Sequence, residues 1–541
     1  MRTRYALLLA ILLAGSPRVA GAQVPQHGDH PLGTVDFPVS CSDSARAEFN
    51  RAVALLHHMT YPEAREAFRR VAVDDPRCAM ARWGVAMTLF QPLWPTRPGP
   101  EALQRGWALV QEARSLQPPT ERERLFVAAA EAFFLEPGET DYWLRIRRWE
   151  QAMEIVHAAF PDDAEAAAFY ALAHLATAPA AASRTHADRA AEILLEVYRQ
   201  HPDHPGAMHY LVHANDVPGR ERDLLEVTRR YDATAPRNPH ALHMPTHIYT
   251  RLGDWKGVIR GNLLAAEAAL EVPAGERGDL VWDEFPHAIE YLVYAYLQQG
   301  ADAEAGGQVA RLHATVRLEP TFKTAFHLAS TRARYALERR SWDEAARITP
   351  REPAALDWDR FTWPEAIMWF ARGLGAARQG DREGARAAGR RLRDLEGATD
   401  RAGEALFARQ IRVLRLEVEA WLAHVEGQGA SGVALMREAA DLEVSTPKPA
   451  VTPAPTLPAH ELLGDLLMER AEPGDALRAY QRALALYPGR FNSLLGAARA
   501  ARATGDAAAA RGFYQQLLEV AGGGTRQPGL TEARDFAAGG Q

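Results

Sequence analysis

The stretch LPAHELLGDLLMERAEPGDALRAYQRALALYP, residues 457–488, decides the fold. With Leu457 as position 1 of a 34-residue unit, Leu463 and Gly464 fall at positions 7 and 8, Ala476 at 20, Tyr480 at 24, Ala483 at 27 and Pro488 at 32. A second unit starts at Phe491, one period later, with Gly505, Ala510 and Tyr514 at positions 15, 20 and 24. Each unit reads as two helices joined by a turn. Small residues at positions 8 and 20 let the two helices approach closely, and large ones at 4, 7, 11 and 24 fill the space between them. Neither helix buries its apolar face alone, so units must stack on their neighbours.

The same frame fits much of the chain. Ala45–Cys78 puts Tyr61, Ala64, Phe68 and Pro76 at 17, 20, 24 and 32, and a unit from Arg77 puts Trp83 and Gly84 at 7 and 8. Pro205 and Pro239 open two units one period apart, with Gly219 and Gly253 both at position 15; Pro286 opens another, with Gly300 at 15. Degenerate pairs are expected near 326–350 and 366–396, giving roughly ten to twelve helix pairs in all. No sustained alternation bounded by turn residues suggests a sheet. The frame resembles the tetratricopeptide (TPR) repeat. The stretches LLHHMTYPEAREAF, CAMARWGVAM, PGAMHYLVHANDVPG and HALHMPTHIYTRLGDW are similar to those of exported bacterial TPR-repeat proteins of unassigned function. This resemblance covers residues 41 to 524. It implies an all-α fold, an α-solenoid of stacked TPR-like helix–turn–helix repeats, and it supplies no catalytic residues.

The chain of 541 residues is 47% hydrophobic and 24% charged, with a formal net charge of -7. That composition excludes disorder along the whole length and a nucleic-acid partner held by bulk basic charge. Arg2 and Arg4, the apolar run Leu7–Leu13 and the small residues Ala20, Gly21 and Ala22 read as a signal peptide over 1–22. Its removal would take away three arginines and no acids, moving the charge from -7 to -10. No segment is long and apolar enough to span a bilayer. The mature protein is expected to be exported, to a bacterial periplasm or beyond, with no integral membrane segment. Residues 23–40 are expected to be disordered, 41–445 to form the main repeat array, 446–458 a stiff linker with five prolines, 459–524 a C-terminal pair of units, and 525–541 a disordered tail. The only cysteines are Cys41 and Cys78. In an oxidising compartment two cysteines suggest one disulfide; two unrelated buried thiols are the alternative. Cys41 precedes the first helix of the first unit and Cys78 opens the next, at helix starts that a stack makes neighbours.

Histidine is the informative residue. HYLVH sets His209 and His213 four apart on one helix, and HMPTH sets His243 and His247 four apart on another, so each pair shares a face. The two pairs are 34 residues apart, at positions 5 and 9 of neighbouring units. In TPR proteins those positions line the concave groove, so the resemblance implies four imidazoles on the inner wall. Glu290 and Tyr294 continue the ladder at positions 5 and 9 of the next unit, while His240 and His287 both occupy position 2. Imidazole and carboxylate are ligands for Zn, Cu, Ni or Fe. One reading is therefore a metal site drawn from His209, His213, His243, His247 and Glu290; others are contact with a peptide or anion, and structural packing. Pro245, inside the second pair, threatens the helix. His57 and His58 read as cap or contact residues near a turn, His174 as a packed helix residue, and Trp83, Trp94, Trp143, Trp255 and Trp369 as core. No phosphate loop, nucleophile elbow, cysteine zinc spacing or dinucleotide fingerprint occurs. The leading functional expectation is a scaffold binding a protein or peptide in its groove; the alternative is a metal-binding protein using the histidine ladder. An enzyme weighs less, because nothing supplies a nucleophile or base beside a substrate pocket.

Overall fold

Small residues set how closely the paired helices lie. A Cβ on Gly464 would come within 2.6 Å of the Tyr480 ring, and one on Gly496 within 2.4 Å of the same ring. The position-24 aromatic thus fills the space that two glycines leave open. Gly84 and Phe68 repeat the arrangement near the N-terminus, where an added Cβ would sit 2.2 Å from the ring. Proline at the first helical position, as at Pro205 and Pro239, costs no hydrogen bond there. Gly253 (φ 71°) and Gly300 (φ 67°) turn the chain in the left-handed region between the helices of their units.

The computed structural model describes residues 30–94, 96–139, 141–179, 183–223, 225–275, 277–521 and 527–539. The expected signal peptide at 1–22 lies outside these, as do the parts of the expected disordered segments at 23–29, 525–526 and 540–541. Among the described residues, consecutive helices from Asp43–His57 to Ala507–Val520 form twelve antiparallel pairs, counting Pro239–His243 and Pro245–Leu252 as one helix. A last helix, Pro528–Ala537, packs against Ala507–Val520 through Leu530, Ala533 and Phe536. The fold is an all-α solenoid of stacked helix pairs, as the 34-residue frame requires. Its only strands among the described residues are a two-residue hairpin, Pro273–Ala274 with Leu280–Val281. The disulfide between Cys41 and Cys78 forms, with Cα atoms 4.8 Å apart. Among the described residues no helix is long and apolar enough to cross a membrane.

Three segments differ from expectation. Residues 30–40 pack as irregular chain: Phe37 is fully buried against Phe49, Trp83 and Phe126. The tail holds the helix just described. The proline-rich run is an internal strap rather than an open linker, with Val451, Ala454 and Leu457 buried. Its carbonyls need donors, and the buried Arg334 guanidinium supplies them to Ala454 (3.0 Å) and Pro455 (2.9 Å). Lys448 reaches Asp216 (3.1 Å). The C-terminal pair of units is likewise docked: Arg490 bonds Tyr294 and pairs with Glu338 and Glu461, and the Phe491 amide donates to Gln298. The array therefore closes on itself, and the strap fills the inner face that an open solenoid would leave as a groove. One apolar core runs from Leu32 to Ile248 and another from Ala325 to Ala500. A polar, histidine-rich interior lies where the helices between them meet.

Candidate metal centre

Four consecutive first helices, the second of them split in two, build this interior. Pro205–Asn215 carries His209 and His213, Pro239–His243 carries His240 and His243, Pro245–Leu252 carries His247, Glu284–Gln298 carries His287, and Phe322–Glu338 carries His327. Pro245 splits its helix at Met244, but Met244 keeps helical dihedrals (φ -55°, ψ -41°), so the i,i+4 spacing survives. The Thr246 hydroxyl donates to the His243 carbonyl (2.6 Å).

The side chains form two trios, not the expected square. His209, His213 and His240 make the first, and His243, His247 and His287 the second; within each, one nitrogen per ring lies within 4.8 Å of the others. His209 Nε2 is 3.1 Å from both His213 Nε2 and His240 Nε2, and His243 Nε2 is 3.0 Å from His247 Nε2. Both trios combine positions 5 and 9 of one unit with position 2 of the next. The sequence pairing missed this because adjacent first helices are offset by about a turn, which brings the neighbour's first turn against positions 5 and 9.

Glu290 and Tyr294 join neither trio. Glu290 accepts from His327 Nδ1, Ser330 Oγ (2.6 Å) and Arg334 (3.3 Å). Tyr294 accepts from Arg490 (3.1 Å) and packs on Trp255. Tyr291, one turn before it, lies edge-on to His243 with ring centres 4.6 Å apart. Nor do the histidines line an open groove: His209, His240, His243, His247 and His287 are buried and His213 is half-buried.

The outer partners fix which nitrogen carries each proton. A carbonyl only accepts, so His209 Nδ1 donates to His57 O (2.6 Å) and its Nε2 keeps a lone pair. His240 Nδ1 donates to Glu284 (2.8 Å), whose other oxygen takes Lys323 (2.7 Å). His247 Nδ1 donates to Asp216 (2.9 Å). Asn262 gives its Nδ2 to Thr246 Oγ1 (3.0 Å) and Val258 O (2.9 Å), so its Oδ1 must face His243 Nδ1 (2.7 Å) as acceptor. His327 Nδ1 donates to Glu290, leaving its Nε2 to accept from His287 Nδ1 (3.0 Å). His287 Nε2 is buried with no partner. Two pairs of lone pairs thus face each other, His209 with His240 and His243 with His247.

Facing lone pairs repel unless a cation lies between them. A proton would create a buried imidazolium, and burial first, then the neighbouring rings, holds His209, His213, His243 and His287 well below the ordinary histidine range. Burial would raise Glu284 and Asp216, yet both stay well below the usual carboxylate range. Lys323 and His240 outweigh burial at the first, and Lys448 and Arg251 at the second. A metal ion satisfies such nitrogens: three ligands at the usual ~2.0–2.1 Å from an ion lie about 3.3–3.6 Å apart. Each imidazole held through its other nitrogen is also how metal-ligating histidines are oriented.

A neighbouring cluster shows the opposite pattern. His57 Nε2 and His204 Nε2 donate to the two oxygens of Glu165 (2.7 and 3.2 Å). Tyr210 OH and the Ala207 amide donate to their Nδ1 atoms. His58 bonds Leu32 O (3.0 Å) and Tyr231 OH (2.7 Å). Every donor meets an acceptor there, so neutral rings suffice. His57 and His58 are therefore buried network residues rather than caps. Trp94, expected as core, lies edge-on to both His240 and His287, with ring centres 5.4 Å from each, and so touches both trios.

No family model and no curated protein matches the chain. Among solved structures it is similar to the anaphase-promoting-complex hetero-tetramer Cut9–Hcn1, at 13% identity, TM-score 0.30, over 91% of this chain and 89% of that one. It is also similar to a monomeric mutant of IFIT1 with Gppp-AAAA, at 11% identity, TM-score 0.36, over 85% and 95%. Likenesses at these scores carry no argument about this chain.

Proposed function

We propose that this is an exported helical-repeat scaffold that holds transition-metal ions in an interior, all-histidine centre. One observation carries the reading: two pairs of buried Nε2 lone pairs face each other at 3.0–3.1 Å, with their Nδ1 protons committed to fixed acceptors. The disulfide agrees with an oxidising compartment. Contact of a protein or peptide with the histidines in an open groove has less support, since five of the six are buried and the strap covers the inner face. A protein partner would bind the outer surface of the stack. The net charge of -7 speaks against a polyanionic partner.

The test is elemental analysis of protein made without a histidine tag, incubated in turn with Zn, Cu, Ni or Fe ions and desalted. Wild type should retain at least one equivalent of a transition metal. The double variant His213→Leu/His287→Leu should retain much less at unchanged helicity. Metal-free wild type after every incubation would reject the reading.

A further inference from the structure

Resting on the metal-binding reading, we infer that the centre is dinuclear and takes copper(I), one ion in each histidine trio. Three observations lead there. The first is repetition. Residues at positions 5, 9 and 2 of the following unit form a trio twice in succession, so one helix-to-helix step generates both sites. The series stops on either side. In the next unit Glu290 is already bonded by His327, Ser330 and Arg334, and on the preceding first helix, Ala164–Ala176, Glu165 is occupied by His57 and His204.

The second is spacing. Within the trios the bonded rings lie 4.8–4.9 Å apart, centre to centre, His243 and His287 4.3 Å, and His247 and His287 6.2 Å. Between the trios the approaches are 6.0 Å, for His213 with His247 and for His240 with His243. The ring centres overlap in range, but the nitrogens fall into two sets: in each trio one nitrogen per ring lies within 4.8 Å of the others. Trp94 and Tyr291 wall the second trio, and Trp94 reaches the first.

The third is charge. Each trio offers three neutral imidazoles and neither carboxylate nor thiolate. The nearby acids are already matched as a set, four by four: Asp216 lies between Lys448 and Arg251, Glu284 and Asp283 share Lys323, and Glu290 pairs with Arg334. Two divalent ions would leave four uncompensated positive charges in a buried site, whereas two monovalent ions leave two. Among metals that imidazole favours, copper has a stable monovalent state. His213 is the half-buried member. A cleft of about 180 Å³ is lined by Arg251 and Lys448, both of which bond the Asp216 that holds His247.

The experiment is an anaerobic titration of metal-free protein with copper(I) against a chromogenic copper(I) chelator, followed by challenge with equimolar Zn²⁺. Wild type should bind two copper(I) ions and keep both in the presence of zinc. His213→Leu and His287→Leu should each bind one, with circular dichroism unchanged. The single variants test independence, and wild-type stoichiometry tests the count if a variant misfolds. One copper per wild-type chain, loss of both ions in a single folded variant, or displacement by zinc would overturn the inference and leave the metal-binding reading standing. No binding of any metal would remove that reading as well.

Discussion

Each buried imidazole has two nitrogens to satisfy, and the partner of one dictates the chemistry of the other. Asn262 shows this most simply. Its amide is pinned by Thr246 and Val258, so His243 has no choice but to present a bare Nε2 to His247. Replacing Asn262 by Ala should weaken metal binding at the second trio about 10–100-fold and spare the first, and Asn262→Asp should restore it. Competitive titration of the variants reads this directly. A second residue-scale outcome concerns Glu417, whose carboxylate is buried without partners. Burial, then Glu443, pushes it well above the usual range, and burial raises Glu443 to about 7. An acid whose folded pKa is raised stabilises below its unfolded pKa of about 4.3 and costs stability as pH rises beyond it. Glu417→Gln should therefore melt higher than wild type at pH 8, and the gap should close toward about pH 4.3. At this scale the four ladder histidines were legible, because i,i+4 spacing and a 34-residue offset are visible in any sequence. His327 was not: it follows His287 by 40 residues, out of frame. Asp216, Asn262 and Glu284 carry no periodic signal, and only the packed structure brings them to the rings.

Helix pairs were the most legible feature, since close packing demands small and large residues at fixed positions. The demand can be tested. Gly464→Val pushes into the Tyr480 ring and should cost about 1–3 kcal/mol in urea denaturation. The disulfide links the starts of two neighbouring first helices. Removing it with Cys41→Ser and Cys78→Ser together should cost at most about 4 kcal/mol on the chain-entropy account. What periodicity did not disclose was how neighbouring helices register. The ladder was expected to group positions 5 and 9 into one square. The offset of adjacent helices instead inserts position 2 of the next unit, turning four ligands into two sets of three.

Closure of the array was the least legible property. Five prolines in thirteen residues read as a spacer, yet Arg334 and Lys448 draw that run into the interior, where its carbonyls and apolar side chains are satisfied. Limited proteolysis should therefore spare 446–458 for as long as the flanking helices last; early cleavage into two stable fragments would mean an open linker. The closed shape also explains why a solenoid, usually a surface for partners, can hold six histidines in its interior, five of them buried. The most direct test of that centre is diffraction from metal-loaded crystals at wavelengths on either side of the absorption edge of the bound metal. The account predicts anomalous peaks among the Nε2 atoms of His209, His213 and His240 and among those of His243, His247 and His287. Peaks confined to other histidines, or none inside the fold, would contradict it.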